Sequence, residues 1–185
     1  MSKTAAHHYR VFFALNFATA FCQQLDAWRR HIPLRDGRWV SMSQWHLTLS
    51  FLGDVDDRTL EQLLEHRFER LPPFELMFGE LGYFSKAQVL FVQPTAVPDT
   101  LLQLQRACVQ LKNRLRVGKN EATYTPHITL ARDAIAPIPA ASQTLQLSSR
   151  HHEFFLMQSL NTRDGVQYRE LQRWPLQKAL RPQPR

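Results

Sequence analysis

One short pattern of residues occurs twice in this chain: a histidine, an apolar residue, a threonine and a second apolar residue. The two copies are His46-Leu47-Thr48-Leu49 and His127-Ile128-Thr129-Leu130. In a β-strand, side chains two residues apart point to the same face. Each copy therefore predicts a histidine beside a threonine on one face of a strand, with two apolar residues packed into the core behind them.

The chemistry that fits this pair of motifs is proton transfer at a phosphodiester. Imidazole has an unperturbed pKa of about 6.5, so a histidine can give or take a proton near neutral pH. Cleaving a phosphodiester needs a base for the attacking oxygen and an acid for the departing one, and two histidines supply both. The hydroxyls of Thr48 and Thr129 would donate hydrogen bonds to the non-bridging oxygens. A lone histidine on a strand is more often structural, so the hypothesis depends on the motif occurring twice.

Each motif is preceded by the same kinds of element. Short apolar stretches predict strands at Tyr9 to Leu15 and at Val89 to Val92. A stretch with apolar residues three and four positions apart follows each strand, which predicts helices from Phe17 to Trp28 and from Pro98 to Leu115. The motifs then lie in two further predicted strands, Trp45 to Leu52 and Thr125 to Ala131. The repeated order of strand, helix and motif strand indicates two related halves.

The rest of the chain predicts one more helix and three more strands. The helix runs from Asp57 to Leu71 and ends before two consecutive prolines. The strands are predicted at Thr144 to Leu147, Glu153 to Leu160 and Val166 to Leu171. A chain of 185 residues suits a single domain over residues 1–185, or two small lobes that share a core.

The composition restricts the function without identifying it. Lysine and arginine total 23 against 16 aspartate and glutamate, for a formal net charge of +7 and a pI near 9.9. Positive charge attracts polyanions, although it is equally compatible with simple solubility. Cys22 and Cys108 lack zinc-ligand spacing, and we expect both in the core. No apolar run reaches the ~20 residues that span a bilayer, and Asn16 interrupts the apolar stretch after Arg10, so we expect a cytoplasmic protein with no membrane segment.

On the two motifs, the sequence resembles the 2H phosphoesterase superfamily, whose members carry two His-x-Thr-x motifs. It is most similar to the bacterial RNA 2′,3′-cyclic phosphodiesterases, also called the 2′-5′ RNA ligase family. The resemblance covers nearly the whole chain. Besides the motifs it includes Arg10 to Leu15, Phe51-Leu52-Gly53, Pro126, Arg132-Asp133, Tyr168 and Arg173-Trp174.

The resemblance implies an α+β fold that is bilobal and pseudo-symmetric, with two antiparallel sheets flanking a central cleft and helices outside. It implies a hydrolase that opens the 2′,3′-cyclic phosphate at the end of an RNA or oligonucleotide to a 2′-phosphate, without a metal or other cofactor. By motif position, His46 would be the proton donor and His127 the proton acceptor. Thr48, Thr129 and Arg132 would bind the phosphate. We expect such a protein to be a monomer.

Three other functions stay open from the residues alone. The same acid and base would serve the reverse reaction, an ATP-independent 2′-5′ ligation of RNA ends. A non-catalytic module that binds RNA ends would not need two titratable histidines, which argues against it. A metallohydrolase built on His46 and His127 would need hard ligands, and no aspartate or glutamate cluster lies near either motif. The aromatic residues Phe13, Trp45 and Phe51 would suit base stacking, but large aromatics in strands are usually core, so we assign them no role.

Overall fold

Nine β-strands, three α-helices and one short 3-10 helix make up the part of the chain that the structure, a computed structural model, describes: residues 8–34, 36–119, 123–136, 144–163 and 165–177. In chain order these elements are β1 (Tyr9–Leu15), α1 (Thr19–Arg29), β2 (Arg38–Trp39), the 3-10 helix (Met42–Gln44), β3 (Leu47–Val55), α2 (Asp57–Glu65), β4 (Phe74–Phe84), β5 (Val89–Pro94), α3 (Asp99–Leu115), β6 (Ile128–Arg132), β7 (Leu147–His151), β8 (Glu153–Thr162) and β9 (Gly165–Pro175).

The strands form an antiparallel sheet in the order β7-β4-β5-β6-β3-β1-β8-β9, and β2 pairs with β6 beside this path. The predicted α+β class is therefore confirmed. The two separate sheets implied by the resemblance are not seen as such, because hydrogen bonds connect all the strands. The connection is narrow, however: β3 and β6 share the single register pair Leu47 and Ile128. Beyond this pair β6 no longer pairs with β3, and its residues Ala131 and Arg132 pair with β2 instead.

The apolar residues of the motifs anchor both motif strands in the core. Leu47, Leu49, Ile128 and Leu130 are fully buried, whereas Thr48 and Thr129 on the alternate face are only partly buried. Helix α3 packs against β3. The strand alternation expected from the sequence is thus present, and it directs the two threonines away from the core.

The helix bounds agree with the sequence pattern to within two residues, except at one end. Helix α3 begins at Asp99 and ends at Leu115 as predicted, but α2 ends at Glu65 and not at Leu71. The residues after Glu65 leave the helix because Phe68 packs against Phe13 and Trp174, at ring-centroid distances of 5.5 and 5.2 Å. The Trp174 indole also donates to the carbonyl oxygen of His66. A continued helix would not bring Phe68 to the sheet.

The strand prediction is right for most elements and misses two. Strand β1 has the predicted bounds, and most other predicted strands are present with ends shifted by a few residues. The strand predicted at Thr144 to Leu147 is wrong, because pairing with β4 places β7 at Leu147–His151, which shares only Leu147 with the prediction. The predicted elements do not include β2 or β4, although Phe74, Leu76 and Phe78 of β4 are buried and alternate with exposed residues. Both cysteines are free and buried in helices, as predicted. Among the described residues, no helix is long and apolar enough to cross a membrane.

Candidate active site

The two motifs meet where β3 and β6 pair. His46 and His127 are the residues immediately before these strands, so the predicted strand starts at Trp45 and Thr125 are too early. Leu47 pairs with Ile128 in antiparallel register. A register continued by one residue in each direction would set Thr48 opposite His127 and His46 opposite Thr129. Directly opposed residues have Cβ atoms about 4.5–5.5 Å apart. The pairing therefore brings the four polar residues of the two motifs into one cluster.

Each histidine is held by the same local hydrogen bond. Nδ1 of His46 lies 2.7 Å from the carbonyl oxygen of Gln44, and Nδ1 of His127 lies 2.7 Å from that of Thr125. A carbonyl oxygen only accepts hydrogen bonds, so Nδ1 carries a proton in both rings and donates it. Nε2 is then the atom of each ring that takes up and releases a proton. The repeated bond fixes the same tautomer in both motifs.

Aromatic rings support both imidazoles. The His46 ring lies 4.9 Å from the rings of Phe12 and Tyr168, which come from β1 and β9. The His127 ring lies 5.2 Å from Phe84 on β4 and 5.1 Å from Phe91 on β5. These packed rings limit the rotation of each histidine, and proton transfer needs such fixed geometry. Of these four packed rings, only Tyr168, beside His46, carries a hydroxyl.

The surroundings of His46 disfavour its charged form. Burial lowers the pKa of His46 from 6.5 to about 4, with smaller contributions from the charges of His127 and Arg132 and an opposing effect of the hydrogen bond to Gln44. Burial also raises the pKa of the Tyr168 phenol, against a smaller lowering effect of Arg132. At a pKa of about 4 His46 is neutral at pH 7, and it lies close enough to His127 and Arg132 for their charges to lower this pKa further.

A cleft of about 630 Å³ opens over the motif cluster. Four of the five predicted site residues line it, namely His46, Thr48, Thr129 and Arg132. His127 is not part of the lining itself and lies beside the cleft, next to the rings that pack on it. The structure thus brings the predicted residues together, with His46 the more exposed to the cleft of the two histidines.

Three arginines line the cleft and differ in how their charge is compensated. Arg38 pairs with Asp133 at 2.8 Å, and Arg10 lies 3.8 Å from a carboxylate oxygen of Asp54. Arg132 is exposed and has no ion pair with any residue that the structure describes. Its guanidinium is therefore the cleft cation whose charge is available to an anion, and the bidentate shape of guanidinium suits a phosphate.

Close backbone packing positions Arg132. Gly37 has φ of +104°, and a Cβ added there would lie 2.8 Å from the carbonyl oxygen of Arg132. The Tyr83 hydroxyl donates to the carbonyl of Ala134 at 2.7 Å, which holds the following turn. Only glycine allows the chain to approach Arg132 this closely with that backbone conformation.

The structure identifies cleft residues that motif analysis did not assign. Phe12, Arg38 and Tyr168 line the cleft, but none lies within a motif. Phe12 and Tyr168 fall in segments that contribute to the family resemblance, which was the one available signal. Phe13 and Trp45 are buried in the core, whereas Phe51 lines the cleft. In the described part of the chain, no three His, Cys, Asp or Glu side chains are grouped to hold a metal ion.

Comparison with known proteins gives consistent matches over most of the chain. A model of the 2′-5′ RNA ligase superfamily matches residues 17–161. An RNA 2′,3′-cyclic phosphodiesterase of Escherichia coli is 31% identical over 170 residues, which cover 90% of this chain and 96% of that protein. The crystal structure of E. coli LigT complexed with 3′-AMP superposes with a TM-score of 0.85 and 30% identity, covering 93% of this chain and all of that one. A structure from Thermus thermophilus, TT0787, is 28% identical with a TM-score of 0.75 over 90% and 97% of the two chains.

Proposed function

The chain belongs to the 2′-5′ RNA ligase superfamily, and we propose that it hydrolyses the 2′,3′-cyclic phosphate at the end of an RNA to a 2′-phosphate with two histidines as acid and base. The enzyme class follows from relatives that are RNA 2′,3′-cyclic phosphodiesterases. The observation that carries the two-histidine mechanism is the Leu47–Ile128 pair, because the same register continued by one residue on each side would set each histidine opposite the threonine of the other motif.

In the proposed reaction His127 accepts a proton from water at Nε2, and the water oxygen forms a bond to phosphorus. The bond between phosphorus and the 3′ oxygen breaks, and His46 gives its Nε2 proton to that oxygen. The product keeps the phosphate on the 2′ oxygen, and His127 then returns a proton to the solvent while His46 regains one. Every proton and oxygen is accounted for by one water molecule. The Nδ1 hydrogen bonds to Gln44 and Thr125 support this use of Nε2 in both rings.

Thr48, Thr129 and Arg132 are proposed to bind the non-bridging phosphate oxygens. Both threonines line the cleft, and the Arg132 charge is not compensated by a described carboxylate. Hydrogen bonds to charged groups are stronger than those between neutral groups, at about 1.5–3 kcal/mol each. These three residues would therefore hold the phosphorus in line between the water and the departing oxygen.

Several broader features are part of the same proposal. We propose that the strands on either side of the Leu47–Ile128 pair form two pseudo-symmetric lobes of one domain, because each side carries one motif and one aromatic pair. The ligand is an RNA or oligonucleotide with a 2′,3′-cyclic phosphate end. A monomer in the cytoplasm is the expected state, and two free cysteines are compatible with a reducing compartment.

The experiment that tests the function uses an RNA with a 2′,3′-cyclic phosphate in the presence of a chelator, with identification of the product. We expect a 2′-phosphate from the wild-type protein and a loss of about 10²–10⁴-fold in turnover for His46→Ala and for His127→Ala. His152→Ala is the matched control, because His152 is exposed and lies outside the cleft lining. Near-normal turnover of either motif variant would contradict the mechanism, and a 3′-phosphate product would contradict the proposed bond cleavage. A joined 2′-5′ product with added 5′-hydroxyl RNA would show the reverse reaction.

A further inference from the structure

We propose that Arg29 is a positioning residue for His46 and acts through residues 38–45, which we call the bridging segment. Arg29 is the last residue of α1 and is not part of the cleft lining. It therefore influences turnover without touching the substrate. The inference rests on the proposed function, because it concerns the histidine that we assign as the acid.

The bridging segment connects the strand of the second motif with the first motif. At one end its first two residues form β2 and pair with β6, and the Val40 amide donates to the carbonyl oxygen of Leu130 at 2.8 Å. At the other end the carbonyl oxygen of Gln44 accepts the Nδ1 hydrogen bond of His46. A shift of this segment therefore moves the group that fixes the tautomer of His46.

Most of the bridging segment has no buried side chain to hold it. The structure describes every residue from 38 to 44, and none of their side chains is buried. Burial of apolar surface, the main favourable term in folding, is thus missing until Trp45. The position of the segment depends instead on hydrogen bonds and on side chains from other elements. One such bond runs from the amide of Gln44 to the carbonyl oxygen of Val166 on β9.

Arg29 makes three contacts with the bridging segment. Its Nη1 donates to the carbonyl oxygen of Val40 at 2.8 Å. Its guanidinium carbon lies 5.1 Å from the ring centroid of Trp39 and 4.9 Å from that of Trp45, close enough for the attraction between a cation and an aromatic ring. A planar guanidinium can contact ring faces and donate hydrogen bonds in its own plane at the same time. One side chain thus contacts both ends of the segment.

Arg29 is itself held by Asp26, one helical turn earlier in α1. Its Nη2 lies 2.5 Å from a carboxylate oxygen of Asp26, and the two side chains are only 15% and 12% exposed. A shielded ion pair of this kind is weakened less by water and salt than an exposed one. Arg30 pairs with the same carboxylate at 2.7 Å, but its side chain is 76% exposed. Among the described residues it has no hydrogen bond or ion pair with the bridging segment, so it is a matched control.

Loss of the Arg29 side chain is expected to release the Gln44 carbonyl from His46. The neutral imidazole can then carry its proton on either nitrogen, and its ring is no longer held in one orientation. Proton transfer needs fixed positions, and a displacement of about 1 Å can cost about 10²-fold in rate. The loss should fall on turnover and not on substrate binding, because Arg29 does not line the cleft.

The test compares Arg29→Met and Arg29→Lys with the control Arg30→Met. Methionine removes the charge and every donor, whereas lysine keeps the charge for Asp26 but lacks the planar fork. Imidazole nitrogen NMR at pH 7, without substrate, reports which nitrogen carries the proton in each motif histidine. Turnover of a nucleoside 2′,3′-cyclic phosphate gives kcat and KM, and thermal unfolding gives the folded fraction.

We expect the wild-type protein and Arg30→Met to show only the Nδ1-protonated tautomer in both motif histidines. Arg29→Met should show a second tautomer at His46 alone, because the Thr125 carbonyl that holds His127 lies outside the bridging segment. Its kcat should fall about 10- to 100-fold with KM little changed, as for a group that acts on the transition state only. Arg29→Lys should approach wild-type thermal stability and recover only part of this loss in kcat.

A purely structural role of Arg29 predicts a different result. If kcat in Arg29→Met fell only in proportion to the folded fraction, or if the His46 tautomer stayed as in the wild type, the inference would be overturned. An equal loss of kcat in Arg30→Met would overturn it as well. If Arg29→Met fails to fold, Arg29→Lys decides: a wild-type tautomer and wild-type kcat in that variant would refute the positioning role. Absence of turnover in the wild-type protein would instead count against the proposed function, and the NMR comparison would still decide the inference.

Discussion

Binding of a cyclic phosphate is expected to raise the pKa of His46. In this structure the pKa of His46 is about 4, mainly because the ring is buried. At pH 7 such an imidazole carries its second proton in only about one molecule in a thousand. A proton donor has to be charged when the 3′ oxygen leaves. If His46 is the donor, its proton must therefore arrive together with the phosphate.

The required coupling is within the reach of a single charge. Raising the pKa of His46 from about 4 to about 7 takes ~3 pKa units, or ~4 kcal/mol at 1.36 kcal/mol per unit. An imidazolium and a phosphate monoanion about 4 Å apart attract each other by about 4 kcal/mol at an effective dielectric constant of about 20. The anion also offsets the repulsion that Arg132 and His127 exert on a charged His46. One bound cyclic phosphate is thus sufficient to charge the ring.

The assay uses His127→Gln, which removes the proposed base, so the cyclic phosphate stays intact, and leaves His46 as the titrating histidine of the site. Imidazole NMR shifts give the pKa of His46 with and without a nucleoside 2′,3′-cyclic phosphate, a monoanion that does not titrate near neutral pH. Calorimetry in two buffers of different ionisation enthalpy counts the protons taken up, and we expect about half a proton at pH 7. His46→Asn in the same background should show no uptake. A bound pKa that stays below about 5 would refute His46 as the donor and would favour the opposite assignment of the two histidines.

Three further predictions concern stability and phosphate binding. His151 is 3% exposed, its Nε2 has no hydrogen-bond partner among the described residues, and burial lowers its pKa to about 4. Because the unfolded chain takes up a proton at about 6.5, the free energy of unfolding should fall by about 3 kcal/mol as the pH drops from above 6.5 to 4, and urea titrations of His151→Leu should lack this slope. Arg132→Ala should lower kcat/KM about 10- to 150-fold and reduce the salt dependence of kcat/KM. Arg38→Ala removes a charge that is already paired, so it should lower kcat/KM by less. Equal losses of kcat/KM in the two variants would argue against a phosphate contact for Arg132. Gly37→Ala and Gly165→Ala introduce the same backbone strain, at φ of +104° and +105°. Only the Cβ added at position 37 would contact the Arg132 carbonyl oxygen. Only Gly37→Ala should therefore lose activity beyond its loss in thermal stability.

Local patterns in the sequence were sufficient for the elements that bury one face. Strand β1 and helix α3 have the expected bounds, because a run of apolar residues or a three-and-four spacing specifies a buried face without reference to the rest of the chain. Helix α2 shows the limit of this reasoning. The residues after Glu65 would continue a helix on pattern alone, but the packing of Phe68 against Phe13 and Trp174 takes them into an extended path.

The paired motifs were visible in the sequence because their chemistry resides in residue types and in a two-residue spacing, both of which are local. Strand alternation alone places Thr48 on the opposite face from Leu47. Which strands become neighbours is decided by pairing between distant segments, so no local pattern contains the Leu47–Ile128 register. The same holds for the rings of Phe12 and Tyr168 against His46, and for the burial that lowers its pKa. The sequence determined which groups we propose for the chemistry, and the tertiary structure decided their distances and their proton affinities, because both depend on side chains brought together from separate strands.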